Sequence, residues 1–442
     1  MEVFGLMHRS SRFLVVAACC LLLPSWSRAT TVDGILYAAD FPGGDIGAKV
    51  GAAIATCPNG CTILLPLGKF DFSTPIVLTH GITLIGQGTN ATILNWVGSA
   101  YAAPVTVYFA KRTRLRNFGL NRNNSATAAP AIEVMGGWDT QIEDIWCTSN
   151  WGNWQQYVGF QGCLWITGTA ANASCITRVS NARFETYTGY AIKVDHAIDV
   201  HLNNIYAASY PDNIYVDGLI IDSDVGGMHV DQVSCSYGRH CLIVRNTLGG
   251  TNPLWLYFNE FEADTTSGGD AILFDSSLGS YQVGATFSNS WSGGAGLTDN
   301  PSGAIINGGA NGIRIDGGSR ITWEGGRIRR NAGNGILIDS NTSSFINIHD
   351  SSIYSNDVAN SPDANGIYIT GASTNIGITG NDITNSLDYG HQRYGIKVAR
   401  VRADQLRVLD NDLSNNLAGP YNSSNLGVST VSGNLPLASG SH

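Results

Sequence analysis

The chain has 442 residues, a formal net charge of −9, 53 glycines and only 13% charged residues. This acidic balance excludes a protein that draws nucleic acid or an anionic membrane by bulk charge. Asn, Ser, Thr, Ile and Val are prominent where helix-rich chains carry Lys, Glu and Leu, so short strands broken by tight turns are expected.

In chain order, His8, Arg9 and Arg12 precede an apolar run from Phe13 to Leu23, and Ser27-Arg28-Ala29 puts small residues at the positions a signal peptidase reads. Residues 1–29 are therefore expected to be a signal peptide cut before Thr30, with the mature protein extracellular or periplasmic. The run is too short to span a bilayer, so no membrane association is expected after cleavage. Val16-Ala17-Ala18-Cys19 offers the alternative of a lipoprotein anchor at Cys19, although the apolar run continues past it. Cleavage leaves 33 acids against 22 bases, a charge of −11. It also leaves seven of the nine cysteines. Cys57 and Cys61 flank Pro58-Asn59-Gly60 and predict a disulfide, with Cys235 and Cys241 as a second candidate pair. Cys163 and Cys241 also read as small packed residues.

Asp45 to Ala55 has helical apolar spacing with an Asp at its N-terminal edge. It predicts a cap over about residues 40–60. From Ala131 onward a strand motif recurs: small residue, aliphatic, variable, aliphatic. It begins at Ala131, Cys163, Ala191, Gly218, Cys241, Ala271, Gly312, Gly335, Gly366 and Gly395. Such spacing suits one turn per repeat of a solenoid. A second, polar column follows at Asn203, Asp231, Asn259, Asn289, Ser351, Asn381 and Asn411, with Gly326 interrupting. It predicts an internal ladder of turn residues. The expected fold is all-β: a single-stranded right-handed parallel β-helix of about ten coils over residues 30–417. Residues 418–442 read as a C-terminal cap and loose tail.

The opening run, with Leu64-Leu65-Pro66-Leu67-Gly68 and Gly86-Gln87-Gly88 after the amphipathic helix, resembles the N-terminal region of the pectate-lyase-like β-helix superfamily. The resemblance covers about residues 33–420 and implies the fold. It implies activity less sharply, since the group spans polysaccharide lyases, polygalacturonase-type hydrolases, phage tailspike depolymerases, epimerases and non-catalytic surface proteins. It implies a polysaccharide partner, no nucleic acid, and a monomer or homotrimer.

In such solenoids the substrate lies along one strand face. The third motif residues point outward as Glu133, Trp165, Lys193, Ile220, Ile243, Leu273, Arg314, Leu337, Tyr368 and Lys397. The fifth include Asp195, Asp222, Arg245, Asp275, Asp316 and Asp339. Just before the middle strands come Asp217, His240 and Asp270. Two carboxyls two coils apart, about 10 Å by backbone, approach the separation an inverting glycoside hydrolase uses. Asp217, His240 and Asp270 are thus the expected catalytic set. Lys193, Asp222, Arg239, Arg245, Asp275 and Trp165 are expected to contact substrate, with no cofactor required. Polygalacturonase-like hydrolases carry Asp and His before equivalent strands, but also an adjacent Asp-Asp pair that this chain lacks. The alternative is a uronate lyase or epimerase. There Asp195 and Asp222 would share a Ca²⁺ and Lys193, Arg239 or Arg245 would act as base. A non-catalytic glycan-binding protein is the third reading. Trp151 and Trp154 are further candidates for stacking on sugar, and Asp388, His391, Arg393 and Lys397 form a secondary cluster.

Overall fold

The computed structural model describes residues 34–122, 127–149, 159–185, 187–209, 214–297, 305–339, 342–362, 364–385, 391–399, 405–423 and 430–435. Trp151, Trp154, Asp388 and the proposed leader lie outside these.

Every registered strand pair is parallel, and each coil pairs with the one before and after it. The front sheet has 13 strands, from Ile76–Leu78 to Gly419–Ser423, and contains all ten motif repeats. Two further strands, Ile76–Leu78 and Val105–Tyr108, precede them. Gly419–Ser423 and Thr430–Ser432 continue the pairing, so the repeat runs on past residue 417. Among the described residues the other 21 strands form a bent back sheet.

The bend comes from one residue per coil in the left-handed region. Asn117, Asp144, Asn181, Asn204, Gln232, Glu260 and Asn289 occupy it, followed by Gly325, Asp350, Gly380 and Asp410. Asn, Asp and Gly tolerate that geometry best, which explains the composition. The corner divides the back sheet into two faces, and the next residue turns inward. Early in the chain that inward residue is apolar: Phe118, Ile145, Ala182, Ile205, Val233 and Phe261 are all buried. From Ser290 onward it is polar or glycine.

This corrects the expected ladder. Asn203, Asp231 and Asn259 precede the corner and form a surface ladder, with both Asn amides donating to Asp231 (2.9 and 2.7 Å). Asn289 is itself an exposed corner residue. The internal ladder is confined to Ser351, Asn381, Asn411 and Asn434, all buried. There the N–H groups of Ser351, Asn381 and Asn411 donate to the side-chain oxygen one coil on, at 3.1, 3.0 and 2.9 Å. A second buried column runs Asn331, Asn356, Gln392, Asn416. Between the apolar and polar halves, Phe258, Phe287 and Trp323 stack inside the helix, with centroids 4.3 and 5.3 Å apart.

The cap is the helix Ile46–Ala55, which buries Ile46, Val50, Ala53 and Ile54 over the open end. Asp45 Oδ1 accepts from Ala48 N–H (2.8 Å), and its Oδ2 accepts from the N–H groups of Ser73 and Thr74 (2.8 and 3.0 Å). One carboxylate thus caps the helix and ties it to the first coil. Burial opposes its ionisation, but these donors hold its pKa below the ordinary value. Cys57–Cys61 and Cys235–Cys241 are disulfides, as the spacing predicts. Cys163 is not a packed free thiol: it pairs with Cys147, 16 residues earlier in the sequence.

Asp45→Ala should lower stability by about 1–2 kcal/mol at neutral pH, read by urea denaturation. The wild-type advantage should vanish as pH falls through the depressed pKa of Asp45. A second carboxyl acts in the opposite sense. Asp357 is fully buried and its Oδ2 lacks a hydrogen-bond partner. Burial pushes its pKa up to about 7, against opposition from the Ser361 N–H and the Arg393 charge. The folded state therefore holds an extra proton between the ordinary value of 3.8 and about 7. Its contribution to stability falls as pH rises across that window. Asp357→Asn should remove this slope and raise stability at pH 8 by about 2–4 kcal/mol, with little change near pH 4.

Candidate active site

The outward column of the front sheet has the register expected: Glu133, Trp165, Lys193, Ile220 and Ile243 are direct neighbours, then Leu273, Arg314, Leu337, Tyr368 and Lys397. Parallel in-register pairing makes each such column a straight track across the coils, spaced about 4.8 Å.

At its N-terminal end the side chains interlock. Trp165 Nε1–H donates to Asp195 Oδ2 (2.7 Å), and Thr167 Oγ1–H donates to Asp195 Oδ1 (2.5 Å). The Lys193 ammonium lies 4.8 Å above the Trp165 ring and 3.3 Å from Asp195. His196 bridges Asp195 (3.1 Å) and Asp224 (3.4 Å). Glu133 lies beside Trp165, and burial raises its pKa. Tyr190 is raised by burial and by the nearby charges of Asp195 and Glu133.

The Ca²⁺ pair of the sequence reading meets internal competition. Asp195 is 1% exposed and Asp222 is 0% exposed. Asp222 accepts from Arg245 Nε (2.7 Å) and from Thr247 N–H and Oγ1–H (2.8 and 2.6 Å). Burial opposes its ionisation, yet these donors hold its pKa low. A shared cation would have to displace Lys193 and Arg245. Among the described residues, no three His, Cys, Asp or Glu side chains gather to hold a metal.

The three residues expected to be catalytic are each engaged within the fold. Both oxygens of Asp217 accept from the Arg239 guanidinium, Oδ1 at 3.0 Å and Oδ2 at 2.5 Å. His240 Nδ1 is 2.6 Å from the Asp270 carbonyl oxygen, which fixes it as the N–H donor. Asp270 Oδ1 accepts from both the backbone N–H and the amide of Asn311 (2.8 and 2.7 Å). Asn334 and Asn365 continue this as an amide ladder. Asp270 thus heads a structural column, and Asp217 is the carboxylate half of a bidentate ion pair.

Accessible acids gather further along the same face. Asp275, Asp316 and Asp339 end three consecutive strands, and Asp275 Oδ1 caps a short 3₁₀ turn through Ser277 N–H. The Arg314 guanidinium is 2.8 Å from Asp339 and 3.4 Å from Asp316, all three being about one-third exposed. The Asp316 pKa is raised, first by burial and then by the charges of Asp339, Asp275 and Asp270, with Arg314 opposing. The consecutive acids were visible in the sequence; the raised proton affinity of the middle one depends on their packing. In the C-terminal cluster, Arg393 donates to the Pro362 carbonyl (2.7 Å) and Lys397 lies 4.7 Å above the Tyr368 ring, while His391 is exposed.

These contacts separate two roles for Asp270. Asp270→Asn preserves an oxygen for Asn311 and should fold almost as wild type. Asp270→Ala strands two buried N–H groups and should lose about 1–3 kcal/mol in a thermal or urea melt.

No family model matches the sequence, and neither does any curated protein. Solved structures do match in shape. A mannuronan C-5 epimerase A-module of Azotobacter vinelandii aligns at TM-score 0.57 and 15% identity, covering 90% of this chain and 98% of that one. An N-terminal fragment of bacteriophage Phi29 gene product 12 aligns at 0.62 and 13%, covering 90% and 72%. A bacteriophage CBA120 tailspike protein aligns at 0.55 and 11%, covering 93% and 65%. These identities carry the fold alone. Together with the parallel register and the cap helix, they identify the chain as a right-handed parallel β-helix of the pectate-lyase-like fold.

Proposed function

We infer that the chain is an enzyme acting on a polysaccharide laid along the outer face of the front sheet. The observation that carries this reading is the in-register outward column, which presents aromatic and charged side chains at Trp165 and Lys193, at Arg314, and at Tyr368 and Lys397, with aliphatic residues between the three groups. Indole and phenol faces suit pyranose rings, and fixed charges suit hydroxyls or carboxylates. Names among the similar structures point the same way: a mannuronan epimerase and an α-1,3-glucanase catalytic domain bound to tetrasaccharides. Export fits three disulfides among the described residues.

The favoured chemistry is hydrolysis, with the proton donor moved from the Asp217–Asp270 pair to Asp316. A carboxyl that keeps its proton above the ordinary range can protonate a leaving glycosidic oxygen. Asp339 or Asp275, on the neighbouring coils about 4.8 Å away, then serves as the nucleophile, and Asp316 returns as base toward the water that releases the sugar. Arg314 positions the Asp339–Asp316 pair. No metal takes part in these steps. The second reading, a uronate lyase or epimerase, draws support from Lys193, Tyr190 and His196 grouped around Trp165 and Asp195.

A panel of acidic and neutral polysaccharides, followed for reducing ends and ultraviolet absorbance together, separates hydrolysis from the lyase form of the second reading. Hydrolysis gives reducing ends without absorbance, and Asp316→Asn should then lower kcat about 10²–10⁴-fold. Activity should fall as pH rises through the Asp316 pKa, since the acid loses its proton. Absorbance rising with reducing ends, abolished in Lys193→Ala and untouched in Asp316→Asn, would overturn hydrolysis in favour of the lyase. Full activity of both variants would sink the front-sheet site.

A further inference from the structure

The back sheet carries a second surface that the front-sheet reading leaves unused. Just beyond the left-handed corner, one outward column runs Trp146, Arg183, Tyr206, Ser234, Glu262, Trp291 and Arg327. Its two tryptophans are five registered coils apart, about 24 Å. Each lines an open groove, of about 410 Å³ at Trp146 and about 390 Å³ at Trp291.

The two grooves share a plan. At the first, the Arg183 guanidinium lies between the Trp146 and Tyr206 rings, 5.3 Å from each centroid. Glu185, only 4% exposed, accepts from Arg183 Nε (2.7 Å) and from Trp146 Nε1 (2.8 Å), so both side chains are held in place from below. The corner residues Asn117, Asp144 and Asn181 complete the wall. At the second, the Arg329 guanidinium lies 5.1 Å over the Trp291 ring and its Nη1 donates to Tyr354 Oη (3.4 Å). Asn289 and the exposed Arg327 complete that wall.

We propose that this face is a second glycan-binding strip, in which one polysaccharide chain runs along the helix axis and contacts both tryptophan–arginine grooves. The occupant follows from the chemistry. Trp146, held by the buried Glu185, and Trp291, covered by the Arg329 guanidinium, offer apolar indole surface to pyranose rings, while guanidinium, amide and carboxyl groups around them match vicinal hydroxyls. The grooves are open and repeat in register along the helix axis, which suits a long chain rather than an enclosed small molecule. Two weak contacts on one chain act together only if the chain spans both, so binding should climb steeply with chain length. The strip holds the polymer and takes no part in cleavage. It does not depend on which acid on the front sheet reacts.

Native gels cast with soluble polymannuronate, polygalacturonate or a linear neutral glucan test it, with turnover measured in parallel. Wild-type protein should be retarded by at least one polymer. Competition by a di- or trisaccharide of the same sugar should be weak. Trp146→Ala, Trp291→Ala and the surface change Arg327→Glu should each weaken retardation about 10-fold, with unchanged turnover of a short oligosaccharide, and Arg327→Glu should also leave melting unchanged. Asp316→Asn should be retarded as wild type. No retardation of the wild type, equal retardation of all three strip variants, or retardation lost only in Trp165→Ala would overturn the proposal. The parallel turnover assay reports separately on the front-sheet reading.

Discussion

Parallel in-register pairing is the constraint from which the rest of the molecule follows. Each residue's neighbour in space is its equivalent one coil away, about 4.8 Å off. A property needed at one position is therefore repeated along a line: buried aliphatics inside the front sheet and left-handed residues, mostly Asn, Asp or Gly, at the bend. The same arrangement explains why Asp217 meets Arg239 and Asp222 meets Arg245, each partner lying one coil further on. It also makes stability a sum of nearest-neighbour contacts, so the exposed first coil needs a cover, which the helix held by Asp45 provides.

Columns also amplify electrostatics. Carboxyls stacked coil on coil repel one another unless a cation or an amide intervenes. The molecule uses both remedies. Arg239, Arg245 and Lys193 neutralise the acids of the central coils, whereas Asn311 absorbs Asp270 into an amide ladder. Asp316 has only part of Arg314, because that guanidinium lies closer to Asp339. An acid left short of compensation on an accessible face holds its proton more tightly, and that physical contrast separates Asp316 from the better-paired acids nearby.

The repeat was legible because its signal is periodic. Ten small–aliphatic starts put all ten strands in the front sheet, and the outward track from Glu133 to Lys397 keeps the expected register. What escaped was information held between coils. Asn203 and Asn204 are adjacent in sequence, and only the backbone decides which one turns the corner. The column after the bend is apolar at Ile205, Val233 and Phe261, so the ladder read there lies outside. Cys147 pairs with Cys163 at a sequence separation of 16, a spacing that carries no pattern. Asp270 looked free because its partner Asn311 is 41 residues away. Chemistry at single acids depends on such distant partners, and fold does not.

The change of interior lining has an evolutionary consequence. In the early coils the inward corner residues are interchangeable apolar groups, so a coil could be duplicated or lost there with little penalty beyond repacking. From Ser351 to Asn434 each coil instead presents a donor and an acceptor matched to the next. Insertions that are not whole coils would leave buried amides without partners. The N-terminal half thus tolerates irregular insertion, while the C-terminal half accepts change only in whole coils that keep the ladder residue.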